Sequence, residues 1–227
     1  MEQKPFKLSP SDLTFLWSEC KRCFYLKLVH GFPRPSAPFP SIFTRIDGLM
    51  KAFFMGKPTT ELHEALPPGW IEFGDRWVQS LPFASPNSQR QGYIRGIFDS
   101  VVRFDDGSFG VVDFKTSTPK PTHRQFYSRQ LHAYAYALEH AAPGKFALQP
   151  ISRMGLLIVE PNAIERLPSG DIAYTGRVTW QEITYDEAKF TAFLAEVIAL
   201  LEQPEPPQPG ENCGYCKYRA AARENQW

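Results

Sequence analysis

An α/β architecture, with a mixed sheet between layers of helices, is the fold class to which this 227-residue chain points. Apolar and polar residues alternate with a strand's period of two over Trp70 to Leu81, Tyr93 to Phe104 and Phe109 to Phe114. Before and after that block the apolar residues recur at helical spacing, and a buried-strand run, Leu156-Leu157-Ile158-Val159, follows the second helical segment. The order helix, three strands, helix, strand fits an α/β sandwich around a mixed sheet.

The elements can be justified in turn. Ser9 can cap the first helix, Pro10 suits its first position and Asp12 faces its positive end. Leu13, Leu16, Trp17, Cys20, Phe24 and Leu28 mark its inner side. The Pro-rich stretch from Phe32 to Pro40 reads as an extended connector. A second helix is expected from about Ser41 to Met55, stopping near Gly56. Asp105-Asp106-Gly107 is a three-residue hairpin turn with Gly107 left-handed. A basic helix should run from Thr122 to Glu139, a strand should end at Pro161, and another should lie near Ile172 to Ile183. Thr184-Tyr185-Asp186-Glu187 has the capping-box pattern before a helix that turns Phe190, Phe193, Leu194, Val197 and Leu201 inward. The linker Gln203 to Gly210 is stiff with proline.

Composition sets limits on function. No run of 18 apolar residues occurs, so no membrane span is expected. Met1-Glu2-Gln3-Lys4 lacks the apolar core of a signal peptide, and a cytoplasmic protein is expected. A net charge of +1 neither supports nor excludes nucleic acid, because positive charge can be concentrated in one cleft. Phe114 to Leu138 contains no acidic residue but carries Lys115, Lys120, Arg124 and Arg129: a solvated basic helix face, or a surface for phosphates. Cys20-x-x-Cys23 and Cys213-x-x-Cys216 are spaced for a metal or an iron–sulfur cluster, or are four free thiols. Neither pair follows a strand in a βαβ setting, which argues against a thiol oxidoreductase.

The chemistry concentrates around the hairpin. If its turn has three residues, Phe104 faces Ser108 and Asp99 faces Asp113. Opposed residues on one sheet face have Cβ atoms about 4.5–5.5 Å apart. Lys115, two residues on, shares the face of Asp113. Two carboxylates so placed repel unless a cation lies between them, and oxygen ligands suit Mg2+ or Mn2+. The alternative is that such acids are merely solvated, as Asp105 and Asp106 beside the turn should be.

Gly96-x-x-Asp99, Asp113-Phe114-Lys115 and Gln130-x-x-x-Tyr134 resemble the core of the RecB-like branch of PD-(D/E)XK nucleases, which includes CRISPR-associated exonucleases. Leu8-Ser9-x-Ser11-x-Leu13 with Cys20-Lys21-Arg22-Cys23-Phe24-Tyr25-Leu26, and Cys213-Gly214-Tyr215-Cys216-Lys217-Tyr218-Arg219, are similar to the two ends of those proteins. The resemblance spans nearly the full chain. It implies a restriction-endonuclease-like core forming one domain over residues 1–227, with segments of about 8–30 and 210–227 clasped together. It also implies a metal-dependent DNA nuclease, by analogy an exonuclease on ends or single strands. Asp99, Asp113 and the Phe114 backbone carbonyl would hold the metal, Lys115 would be catalytic, and Gln130 and Tyr134 would belong to the site. Lys120, Arg124 and Arg129 would meet the DNA. Cys20, Cys23, Cys213 and Cys216 would hold a [4Fe–4S] cluster, or Zn2+ as the alternative.

Two departures matter. Ala220-Ala221-Ala222 stands where a third C-terminal cysteine is usual, leaving Cys23 to supply the fourth thiolate. The second helix reads Asp47-Gly48-Leu49-Met50-Lys51-Ala52, without the family's metal-ligating histidine; Asp47, or His63 and Glu64 further on, are the substitutes available. A catalytically impaired DNA-binding or assembly module is therefore the competing expectation.

Overall fold

The computed structural model describes residues 4–36, 38–86 and 88–225, so part of the N-terminal tetrapeptide, Ala37 of the Pro-rich connector and the last two residues of the tail lie outside it. Among the described residues, seven strands form a mixed sheet flanked by helices: β1 (Phe6–Leu8), β2 (Gly69–Gln79), β3 (Phe83–Ala84), β4 (Gln91–Phe104), β5 (Phe109–Thr116), β6 (Ile151–Arg166) and β7 (Ile172–Glu182). The sheet runs β1-β4-β5-β6-β7, with β2 and β3 also paired to β4. The β4–β5 and β6–β7 pairs are antiparallel, whereas β5 and β6 are parallel. A parallel pair needs a crossover, and helix α4 (Thr122–Glu139) supplies it.

The strand period sorts residues to two cores. Val111 joins a large cluster with Leu131, Ala135 and Leu138 of α4, together with Phe190, Leu194 and Val197 of α5 (Glu187–Leu201). Val112 and Phe114 join the other, with Phe54 of α3 (Ser41–Phe54) and Trp180. Alternation of side chains along β5 thus pins α4 and α3 to opposite faces. Among the described residues, no helix is long and apolar enough to cross a membrane.

Several sequence expectations need correction. The first helix is two pieces, α1 (Trp17–Glu19, continuous with the helical turn Asp12–Leu16) and α2 (Lys21–Val29), because Cys20 is extended at φ −161°, ψ 104°. That break aims Cys20 at the tail. Pro161 does not end β6: the strand continues to Arg166, and the ladder absorbs the missing N–H with a register shift between Pro161 and Ala163. Asp186, not Thr184, caps α5, accepting from the Lys189 N–H at 2.9 Å. Phe193 is only half-buried. Strands β1 and β3 and the tail helix α6 (Gly214–Glu224) are too short or too polar to stand out in the sequence.

Candidate active site

The site is built on the β4–β5 hairpin. Gly107 takes φ +85°, the Phe104 N–H donates to the Ser108 carbonyl, and the Gly107 N–H donates to the Phe104 carbonyl. The three-residue turn sets the register Val102–Gly110, Val101–Val111 and Ser100–Val112. The ladder ends at Ser100–Val112, and Asp99 and Asp113 stand just beyond it, where the Phe114 N–H turns to the Asp99 side chain. The Asp113 side chain is almost wholly buried, while that of Asp99 keeps 20% of its exposure.

Each acid is held by named partners. Gln130 Nε2 donates to Asp113 Oδ1 at 3.1 Å, and Tyr134 Oη lies 3.5 Å from the same amide nitrogen. These two α4 residues are one turn apart and share a face. Gly96 makes room for this wall: a Cβ there would meet Pro10 Cδ at 2.8 Å and Tyr134 Cε1 at 3.3 Å. Lys115 Nζ forms an ion pair with Asp113 Oδ2 and sits 4.7 Å from the Tyr127 ring centre. The Phe114 N–H donates to Asp99 Oδ2 at 3.0 Å. In a strand the N–H and C=O of one residue leave on the same side, which turns the Phe114 carbonyl toward the acids.

Burial raises the Asp113 carboxyl to about 7; Lys115 opposes the rise and the neighbouring charge of Asp99 adds to it. Burial would lower the Lys115 ammonium, but Asp113 and Asp99 hold it above the usual lysine range. Burial and the charge of Asp113 also raise Tyr134, which stays protonated. Gln130 Oε1 is buried without a hydrogen-bond partner among the described residues. Two carboxylates, a backbone carbonyl and an orphaned amide oxygen form an all-oxygen donor set that fits a hard divalent cation.

A cleft of about 400 Å³ opens over this set, lined by Asp99, Asp113, Lys115 and Gln130 and, on its other wall, by Phe39, Phe43 and Asp47. Four of these participants were not legible as such. Lys51 Nζ contacts Asp47, Asp75 and Asp99 at 2.8, 2.8 and 3.0 Å. Burial would lower its ammonium, but the charge of Asp99 and hydrogen bonds to all three acids push it well above the usual range. Asp75 sits at φ +48°, unusual for a side-chain-bearing residue, between the pairs Gly74–Ser100 and Arg76–Phe98 and so level with Asp99. The clue in the sequence was Gly74-Asp75 interrupting a strand pattern. Phe39 and Phe43 had no signal beyond being aromatic.

Other candidates lie apart. His63 accepts from the Ala65 N–H and does not line the cleft, and neither does Glu64. Lys120 and Arg124 are exposed at the start of α4. Arg129 is engaged elsewhere: its Nη1 donates to Ser18 at 2.9 Å and its guanidinium lies over Phe193. Half-burial on that side of α4 removes it from a free basic face.

Far along the chain in both directions, Cys20, Cys23, Cys213 and Cys216 meet in a buried group whose sulfurs all lie within 4.8 Å of one another. The closest pairs are 3.6, 3.7 and 3.8 Å apart. The Gly210 N–H, Arg34 and Arg219 donate to these sulfurs at 3.2–3.5 Å. Burial raises Cys20, but the Gly210 N–H and the neighbouring thiols bring it down to about 6, while burial pushes Cys216 up to about 12. Such a group can hold a metal.

No curated protein matches the chain. The crystal structure of SSO0001 is similar at 16% identity and a TM-score of 0.46, covering 96% of this chain and 86% of that one. A family model described as the PD-(D/E)XK nuclease superfamily matches residues 57–221, which include the hairpin, α4 and the C-terminal cysteines. The chain belongs to the PD-(D/E)XK nuclease superfamily.

Proposed function

We propose that this protein hydrolyses phosphodiester bonds in DNA with Mg2+ or Mn2+, as an exonuclease on ends or single strands of the RecB-like kind. The observation that carries this reading is that Asp99 and Asp113 stand side by side just past the last paired residues of one hairpin, with Lys115 ion-paired to Asp113. Asp99, Asp113 and the Phe114 carbonyl would hold the ion. Bound there, a divalent ion supplies Lewis-acid polarisation of the phosphodiester and makes water more acidic. Gln130 holds the Asp113 carboxylate in place, and Tyr134 supports Gln130. Lys115, kept protonated by Asp113, can orient the attacking water or donate to a phosphate oxygen as charge develops. Phe39 and Phe43 expose 72% and 44% of their surface on the cleft wall, and such rings stack on unpaired bases, which favours single strands. Lys120 and Arg124 are free to meet the backbone.

The test is cleavage of end-labelled single-stranded DNA with Mn2+. Asp113→Ala should be inactive, and activity unchanged in that variant would refute the assignment. A non-catalytic DNA-binding module is the second reading, favoured by Lys51 occupying Asp99 in a helix that lacks histidine. Retarded DNA without cleavage in any divalent metal would select it.

For the cysteine group we propose Zn2+ rather than [4Fe–4S]. Tetrahedral Zn2+ with Zn–S of about 2.3 Å sets its sulfurs about 3.8 Å apart, the spacing found between the closest pairs here. A cubane places each cysteine on a different iron and spreads the sulfurs further. Anaerobically purified protein should be colourless and carry about one zinc per chain; brown protein absorbing near 400 nm would favour the cluster. Four unpaired cysteines fit a reducing cytoplasm.

A further inference from the structure

We propose that Lys51 is a built-in cation that takes the place of a second divalent ion, leaving this site to bind one. Three strands bring acids to one level: Asp75 of β2, Asp99 of β4 and Asp113 of β5. Asp47 of α3 adds a fourth from above. Carboxylates this close need positive charge between them. At one end of the row Lys51 provides it, touching Asp47, Asp75 and Asp99 while only 14% of its side chain is exposed.

The geometry is specific to a compact charge. An ammonium has three donors and no acceptor, and Lys51 has three carboxylate partners. The backbone of Asp75 adopts a left-handed conformation inside a strand, and its carboxylate reaches Lys51 at 2.8 Å. Strain of that kind persists where surrounding contacts over-determine it. The other end of the row differs. There Gln130 Oε1, more than nine-tenths buried, lacks a partner among the described residues and lines the same cleft. On the Asp113 side of Asp99, where Asp113 itself accepts from Gln130 Nε2 and pairs with Lys115, Gln130 Oε1 is thus the vacant oxygen, whereas the carboxylates on the other side are answered by Lys51.

This inference rests on the hydrolytic reading only for the first ion. The experiment counts Mn2+ bound per chain by calorimetry and by the spin-resonance signal of the unbound ion. Mn2+ prefers oxygen, so the thiols do not compete. The wild type should bind one ion, which Asp113→Asn loses. Lys51→Met, which keeps the apolar stem, should bind one more than the wild type, and Lys51→Met with Asp75→Asn should lose that addition. Two ions in the wild type, or equal counts in the wild type and Lys51→Met, overturn the proposal. If Lys51→Met does not fold, the wild-type count alone decides. A wild type that binds none sinks the hydrolytic reading instead. The comparison with Lys51→Met still decides this one: a gained ion supports it and no gain overturns it.

Discussion

The carboxylate cleft and the cysteine group both gather groups that repel when ionised, by opposite routes. The acids stand on neighbouring strands of one hairpin, where hydrogen-bond register does the positioning and sequence separation is small. The thiols come from segments some 190 residues apart, with the whole sheet between them in the chain. Closing so long a loop costs more entropy than closing a hairpin, though the cost grows slowly with length. Exposure differs in the same sense. The cleft is open along Asp99, Phe39 and Phe43, whereas all four cysteines are buried. An open all-oxygen site can exchange ligands and host chemistry; a closed all-sulfur site is suited to hold chain ends together. Stability and catalysis should therefore fail separately.

Substitutions at the acids probe the first half of that contrast. Lys115→Ala and Asp113→Ala should each lower cleavage of single-stranded DNA by about 10³-fold or more while leaving the melting temperature within a few degrees. A matching collapse of the fold in both would mean that the cleft is not separable from the scaffold. Cys213→Ser should do the reverse. Removing one thiolate of the proposed metal site should weaken the folded state by several kcal/mol, or about 10 °C in Tm for a chain of this size, as thermal unfolding with and without chelator would reveal.

Smaller effects sharpen the picture. Gln130→Ala, which removes the amide holding Asp113, should cut activity about 10- to 100-fold and weaken Mn2+ binding, measured as a shift in the Mn2+ concentration for half-maximal rate. Phe43→Ala should weaken single-stranded DNA binding by about tenfold, with the rate at saturation preserved; an unchanged binding isotherm would remove the stacking role. The smallest effect concerns His132 between α4 and α5. Its Nδ1 donates to the Ser128 carbonyl and its Nε2 accepts from the Asp186 N–H, an arrangement only the neutral ring can make. Burial depresses its pKa, so the unfolded chain binds the proton more readily. Stability from this group is present above about pH 6.5 and declines as pH falls below it. His132→Gln should flatten that part of the profile in urea unfolding series.

Much of this was readable from residues near one another in the chain. Asp105-Asp106-Gly107 specified the turn and the turn specified the pairing as far as Ser100 and Val112, beyond which Asp99 and Asp113 follow, with Lys115 beside Asp113. The limits of α4 followed from Thr122 and Glu139 because its period is unbroken. Lys51, Asp75, Phe39 and Phe43 were not readable in the same way. Which wall of the cleft α3 forms depends on Phe54 stacking on Phe114 across the sheet, and no local pattern encodes that contact. The fate of Arg129 likewise turned on Phe193 and Ser18 lying against it. Strand periodicity is a property of neighbours along the chain, so sequence alone determined the β4–β5 hairpin and the placing of Asp99, Asp113 and Lys115 on it. The cation that answers those acids, and the aromatic wall facing them, came from the docking of one helix on the sheet, because packing joins residues that the chain holds far apart.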